Sequence, residues 1–126
     1  MKNINQTTNW KEQGLRYVQN SSSSPSNENL FFKKKFSFFL NKKIKNMLDI
    51  GCGNGDFLNN FIKKKRIKKI GIEPSQKVIN FCRKRHKNIK FKKAFSHDLP
   101  FNDNKFDLVN IWSVLHWIDR NHYLQS

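Results

Sequence analysis

Three of the chain's five glycines fall in one five-residue window, Gly51-Cys52-Gly53-Asn54-Gly55. Glycine at that density suits a loop that turns with positive φ and lets a ligand approach its backbone with no Cβ between them. Glu73 stands 22 residues after Gly51. An acid at the end of a following strand is placed to accept hydrogen bonds from a ribose diol. Acids are scarce, 9 Asp and Glu against 25 Lys and Arg, so each acidic position carries weight. The chemistry indicated is recognition of a nucleoside-containing cofactor; the plainer alternative is the same scaffold with an empty loop. Spacing narrows the ligand further. No G-x-x-x-x-G-K-[ST] segment occurs, which excludes a P-loop. The dinucleotide fingerprint needs a glycine at its sixth position, where Asp56 stands, and this disfavours NAD and FAD.

Such a loop works only if secondary structure holds it. Met47-Leu48-Asp49-Ile50 is a short apolar run that predicts a buried strand directly before the loop. After it, Phe57, Leu58, Phe61 and Ile62 recur at helical spacing. Asp56 falls in that helix's first turn and Lys63 to Arg66 in its last, as the helix dipole favours. Lys69-Ile70-Gly71-Ile72-Glu73 predicts a second strand. Pro74-Ser75 then opens a helix bearing Val78, Ile79 and Cys82. Ile89 and Phe91 alternate as a third strand. Residues 96–105 read as a loop, Phe106 to Trp112 as a fourth strand, and Val114 to Ile118 as the start of a helix. Upstream, residues 1–24 form a polar segment ending in a serine-rich connector. Residues 25–46 read as an amphipathic helix carrying Phe32, Phe36 and Phe39. The order β-α-β-α-β-β from Met47 predicts an α/β fold with a parallel sheet, helices on its faces and the first strand inside.

Placed on these elements, the segment from Leu48 to Leu58, LDIGCGNGDFL, resembles motif I of the class I S-adenosylmethionine-dependent methyltransferases, closest to the methyltransferase type 11 branch. Gly71-Ile72-Glu73-Pro74-Ser75 resembles the second motif of that family. Leu99-Pro100-Phe101 with Phe106-Asp107-Leu108-Val109 resembles its segment around the fourth strand, and Ser113 to Arg120 the segment after it. The resemblance covers Met47 to about Arg120. It implies a Rossmann-like methyltransferase sheet with strands ordered 3-2-1-4 and helices on both faces. The family sheet has seven strands, so residues 47–126 correspond to the N-terminal part of the domain, with the fourth strand expected as an open edge. The implied cofactor is S-adenosylmethionine. The implied reaction is methyl transfer to oxygen or carbon of a small-molecule or carrier-linked acceptor. An RNA or protein methyltransferase using the basic surface, and an inactive truncated cofactor-binding fragment, are the alternatives.

The resemblance also assigns roles. Asp49 orders the loop, and Gly51, Cys52, Gly53 and Gly55 receive the methionine portion of the cofactor. Glu73, followed by Pro74, holds the ribose hydroxyls. Ser96, His97 and Asp98 surround the adenine. Phe95 stands where relatives often carry an acid, and it either stacks on the base or packs beneath it. Asn110 leaves the fourth strand where relatives contact the methionine amine. Methyl transfer is an in-line displacement on an activated sulfonium, so alignment matters most, and a base is needed only for a protonated acceptor. His116 is the candidate base, with a packing role as its alternative, and His97 is equally open. His86 and His122 read as surface residues. Trp10 and Tyr17 belong either to a lid or to ordinary packing. Asn110-Ile111-Trp112-Ser113 lacks the prolines of family members that methylate exocyclic base amines, which disfavours a DNA-amine substrate.

Composition sets outer limits. The chain has 126 residues, enough for one domain at most. Its net charge of +16 invites a nucleic-acid partner, and basic runs lie at Lys33–Lys35, Lys42–Lys45, Lys63–Lys69 and Arg83–Lys93. Lys outnumbers Arg 20 to 5, however, whereas Arg is the residue suited to bidentate phosphate and base contacts. Asn (17), Phe (12) and Ile (11) are abundant as well, all encoded by A- and T-rich codons, so nucleic acid is not the favoured partner. Cys52 and Cys82 are too few for a disulfide framework or a cysteine zinc site and read as free thiols; no metal is expected. No run of 18 apolar residues predicts a membrane span, and the first ten residues lack a secretory apolar core. A cytoplasmic location is expected on these grounds, with oligomeric state left open.

Overall fold

In a computed structural model of the chain, the residues described are 43–61 and 66–112, together with 14–16, 18, 19 and 34. Asn46–Ile50 forms strand β1, and its last four residues are buried. Side chains alternate across a strand, so Met47 and Asp49 share one face while Leu48 and Ile50 take the other. β1 pairs in parallel with β2 (Lys68–Glu73) on one side and with β4 (Leu108–Ile111) on the other. β2 in turn pairs in parallel with β3 (Lys90–Lys93). The resulting order, β3-β2-β1-β4, is the arrangement expected from the sequence. It aligns the carboxyl ends of the strands: Ile50 lies opposite both Ile72 and Ile111, and Glu73 lies opposite Lys93.

Each face of the sheet carries its own apolar cluster. One collects Met47, Leu58, Val78, Ile79, Cys82 and Phe91, with Val18 and Ile44 against them. Helix α1, Gln76–Arg85, contributes its buried Val78, Ile79 and Cys82 to this cluster. Ser75 caps the helix, its Oγ accepting from Val78 N at 3.4 Å, and Arg83, Lys84 and Arg85 fill the last turn, where the helix dipole favours positive charge. The other cluster contains Leu48, Ile50, Ile72 and Ala94, with Phe101 and Phe106 packed over it. Those two rings meet edge to face at 4.9 Å.

Several details differ from the sequence reading, among them Ile89 and Trp112, which fall just outside β3 and β4. The segment after the glycine loop winds as a π-helical turn over Phe57–Phe61 rather than as an α-helix. β4 begins at Leu108, not Phe106, because Phe106 turns onto the second cluster. Asp107 is occupied as well: its Oδ2 accepts from Lys45 N and Asn46 N, both at 2.9 Å. These backbone donors hold its carboxyl below the usual carboxylate range. Residues 43–45 have no regular structure and Asn46 already belongs to β1, so the last four residues of the segment expected as a helix over 25–46 are not helical. The π-helical turn and α1 both pack on the first cluster. The remaining expected helices, within 25–46 and from Val114, lie outside the described residues apart from the helical Lys34. Among the described strands β4 is an edge, and Val109, Ile111 and Trp112 are exposed along it.

Candidate cofactor site

The glycine loop leaves β1 and is tied at once to its neighbour. Gly51 N and Cys52 N both donate to the Ile72 carbonyl, at 2.9 and 3.0 Å. Gly55 N then donates to the Cys52 carbonyl at 2.9 Å, and Asp56 N to Asn54 Oδ1 at 2.9 Å, which closes the turn. The three loop glycines have φ of +71°, +52° and +78°. At Gly55 glycine is demanded twice over, by the positive φ and by space. A Cβ there would sit 2.8 Å from His86 Cδ2 and 2.9 Å from the tip of the Phe91 ring. Gly71 has a purely steric reason: a Cβ on it would meet Cys52 Sγ at 2.8 Å, so the loop rests directly on the β2 backbone.

Two acids stand at this end of the sheet. Asp49 is 3% exposed and accepts from Asn110 Nδ2 at 2.6 Å, a bond between β1 and β4. Burial pushes its carboxyl from 3.8 to about 7, opposed only by the Asn110 hydrogen bond. Glu73 is 1% exposed, and its Oε1 accepts from Ser75 N at 3.3 Å. Cys52 lies near both acids. Its hydrogen bond with Cys82, its burial and the neighbouring negative charges push its thiol well above the ordinary range. Both cysteines are free and buried.

The turn after β3 completes the group. Ala94 N donates to the Glu73 carbonyl at 3.3 Å, which sets residues 95–98 beside the end of β2. Phe95 and Asp98 form an isolated antiparallel bridge, with Asp98 N donating to Phe95 O at 3.1 Å. The Phe95 ring lies 5.5 Å from the His97 ring. Phe95, Ser96 and His97 are half-buried, while Asp98 is exposed. Asp49, Gly51, Cys52, Gly53, Gly55, Glu73, Pro74, Ser96, His97, Asp98 and Asn110 thus all fall at the carboxyl ends of the strands or in the loops that leave them. His116, Trp10 and Tyr17 lie outside the described residues. Among the described residues no group of three or more His, Cys, Asp or Glu is placed to hold a metal ion, and no helix is long and apolar enough to cross a membrane.

One sequence expectation is corrected here. His86, read as a surface residue from its place among Arg83, Lys84, Arg85 and Lys87, is 7% exposed. Its ring enters the space that Gly55 leaves free and reaches the loop itself, with Nε2 3.0 Å from Asn54 O and 3.1 Å from Asp56 Oδ1. Asp56, read from sequence as a dipole charge, also pairs with Arg85 Nε at 3.0 Å.

With this geometry in view, comparison with known proteins is informative. A family model described as a methyltransferase domain matches residues 47–126. A ubiquinone/menaquinone biosynthesis C-methyltransferase of Campylobacter jejuni is 28% identical over 101 residues, covering 75% of this chain and 43% of that protein. A demethylmenaquinone methyltransferase of Chlorobaculum tepidum is 31% identical over 64 residues, covering 51% of this chain and 26% of that protein. The chain therefore spans less than half the length of these curated relatives. Among solved structures, a SAM dependent methyltransferase from Aquifex aeolicus superposes with a TM-score of 0.66 at 21% identity, over 83% of this chain and 60% of that one. At that identity the likeness concerns the fold.

Proposed function

The chain belongs to the methyltransferase domain family over residues 47–126, and from that premise we propose that its glycine loop, Asp49 and Glu73 bind S-adenosylmethionine for methyl transfer to a small-molecule or carrier-linked acceptor. The observation that carries this reading is the buried Asp49. It has no cationic partner among the described residues, and burial has raised its carboxyl to about 7. A buried acid in that condition is relieved by a ligand that brings positive charge. S-adenosylmethionine brings two such charges, an ammonium and a sulfonium, together with a ribose diol suited to Glu73. The fit is therefore one of charge as well as of backbone space. When bound, the cofactor supplies an electrophilic methyl group on an activated leaving group.

The chain's own residues contribute position. Asn110 fixes one oxygen of Asp49. The Ser75 amide restrains the Glu73 carboxylate at the strand end, so the ribose meets a group already oriented. The turn at Phe95–Asp98, held to Glu73 through Ala94, borders the adenine. The family resemblance leaves both oxygen and carbon acceptors open. The relative named as a ubiquinone/menaquinone biosynthesis C-methyltransferase favours carbon as the acceptor atom. A cytoplasmic setting suits an enzyme of this kind.

Calorimetric titration of the chain with S-adenosylmethionine tests the reading. Glu73→Ala is expected to weaken binding at least tenfold when affinity is referred to the folded fraction from urea titration, since loss of this buried side chain also lowers the unfolding midpoint. Unchanged affinity refutes the ribose role, and no binding by the unaltered chain at millimolar ligand refutes the cofactor assignment. A second reading, an RNA methyltransferase, draws on Arg83, Lys84, Arg85, Lys87, Lys90, Lys92 and Lys93, all exposed on α1, β3 and their connection. It requires RNA binding that falls steeply with salt.

A further inference from the structure

The glycine loop is held from two sides. β2 holds its first half, through the Ile72 carbonyl. Its second half is held by the C-terminal turn of α1 and the residue that ends it. Cys82 Sγ donates to Gly53 O at 2.9 Å. His86 Nε2 lies 3.0 Å from Asn54 O and 3.1 Å from Asp56 Oδ1. Arg85 donates to Asp56 through Nε at 3.0 Å and through a terminal nitrogen at 3.4 Å. Residues 82, 85 and 86 stand at helical i, i+3 and i+4 spacing, which puts them on one face. That face meets three units of the loop, at Gly53, Asn54 and Asp56.

We propose that His86 is a positioning residue for the cofactor loop, its Nε2–H shared between the Asn54 carbonyl and the Asp56 carboxylate so that the loop keeps the form that receives the ligand. Both neighbours of Nε2 are acceptors, so Nε2 carries the proton. The ring is almost wholly enclosed, with 6% of the side chain exposed, and Gly55 is the residue that makes room for it.

The effect on the site follows from peptide geometry. A trans peptide directs its carbonyl and its N–H to opposite sides, and no cis peptide occurs among the described residues. With the Gly53 and Asn54 carbonyls turned toward α1, the N–H groups of Asn54 and Gly55 turn away from it. Gly55 N–H then reaches Cys52 O and closes the turn. Removing the imidazole donor deletes the bonds from Nε2 to the Asn54 carbonyl and the Asp56 carboxylate, and with them a restraint on the orientation of those peptides. His86 never touches the ligand; it acts through the loop.

This inference rests on the reading of the loop as a S-adenosylmethionine site, and the experiment separates the two. Three variants are compared: His86→Gln, whose amide nitrogen falls where Nε2 lies; His86→Asn, whose shorter amide does not reach; and His86→Leu, which fills the space without a donor. S-adenosylmethionine affinity is measured by calorimetry and referred to the folded fraction from urea titration. His86→Gln is expected within about threefold of the unaltered chain. His86→Asn and His86→Leu are expected to lose tenfold or more. Equal affinity of His86→Leu overturns the proposal, as does a His86→Gln variant as weak as His86→Asn. If His86→Leu does not fold, the Gln and Asn pair decides. The backbone amide resonances of Asn54, Gly55 and Asp56, recorded without cofactor, report the loop directly. They are expected to stay in place in His86→Gln and to move in His86→Asn, and resonances that stay in place in both overturn the positioning role. A chain that fails to bind S-adenosylmethionine while its loop resonances respond to His86 in this way refutes the function and not the positioning.

Discussion

Replacing Asp49 with asparagine should make the fold more stable at pH 8 while making the site worse. The side chains are nearly isosteric, and the asparagine keeps an oxygen to accept the Asn110 N–H that now lies 2.6 Å away. What changes is charge. In the unfolded chain the carboxyl titrates near 3.8; in the fold, burial raises it to about 7. Between those values the folded chain holds one proton that the unfolded chain has released. Stability therefore falls as pH rises across that window, by about 1.4 kcal/mol per unit, and levels off above about pH 7. The full window of about three units corresponds to about 4 kcal/mol, a large share of the stability of a small domain. The Asp49→Asn variant has no such window. Urea denaturation at pH 5, 6, 7 and 8 gives the stability difference between variant and parent at each pH. That difference should grow in favour of Asp49→Asn by about 3 kcal/mol from pH 5 to pH 7 and then stay constant. The same variant should bind S-adenosylmethionine more weakly at pH 8, because the anion that meets the ligand's positive charge is gone. A difference that is flat across pH would refute the reasoning, as it would show that Asp49 does not hold its proton inside the fold.

Asn110→Ala removes the hydrogen bond that lowers the Asp49 carboxyl. The pH at which stability levels off should therefore move upward in the same urea series. Gly55→Ala forces a Cβ to within 3 Å of both His86 and Phe91 at a φ of +78°, and it should cost about 2–4 kcal/mol from strain and overpacking together. Gly53→Ala, whose Cβ would meet among the described residues only Val18 Cγ1 at 3.8 Å, should cost about 1–2 kcal/mol from backbone strain. Equal unfolding midpoints for these two variants would contradict the crowding seen at Gly55.

Much of the fold could be read from the residues because its signals are local. Met47–Ile50 is apolar where β1 is buried on both faces, and the glycines follow at once. Glu73 ends β2 beside a serine that caps the next helix. These facts sit within a few positions of one another, and a parallel order with β1 inside follows from short right-handed connections. The errors arise where distant residues decide. The apolar spacing of Phe57, Leu58 and Phe61 signals helix but does not distinguish α from π winding. Phe106 has the composition of a strand residue, yet it leaves β4 to meet Phe101. His86 is the clearest case. Four neighbouring basic residues mark it as surface, and only the missing Cβ of Gly55, 31 residues earlier, admits its ring. No periodicity within α1 carries that information. Asp49 and Glu73 are legible in the sequence as acids at strand ends, but the depth of their burial is not.

The parallel register also fixes how much chain each pairing must close. β1 meets β2 across 22 residues, Asn46 to Lys68, and β2 meets β3 across 20, Ile70 to Lys90. β4 returns to β1 across 61, Met47 to Leu108. Loop-closure entropy grows as the logarithm of length, which makes the last closure about 0.9 kcal/mol harder than the first. β4 is thus the strand whose pairing spans the most sequence. The Asp107 carboxylate, which receives the amides of both Lys45 and Asn46, stands where that longest loop must shut. It ties the entry of β4 to the entry of β1, and the Asn110–Asp49 bond joins the same two strands nearer the end that holds the site.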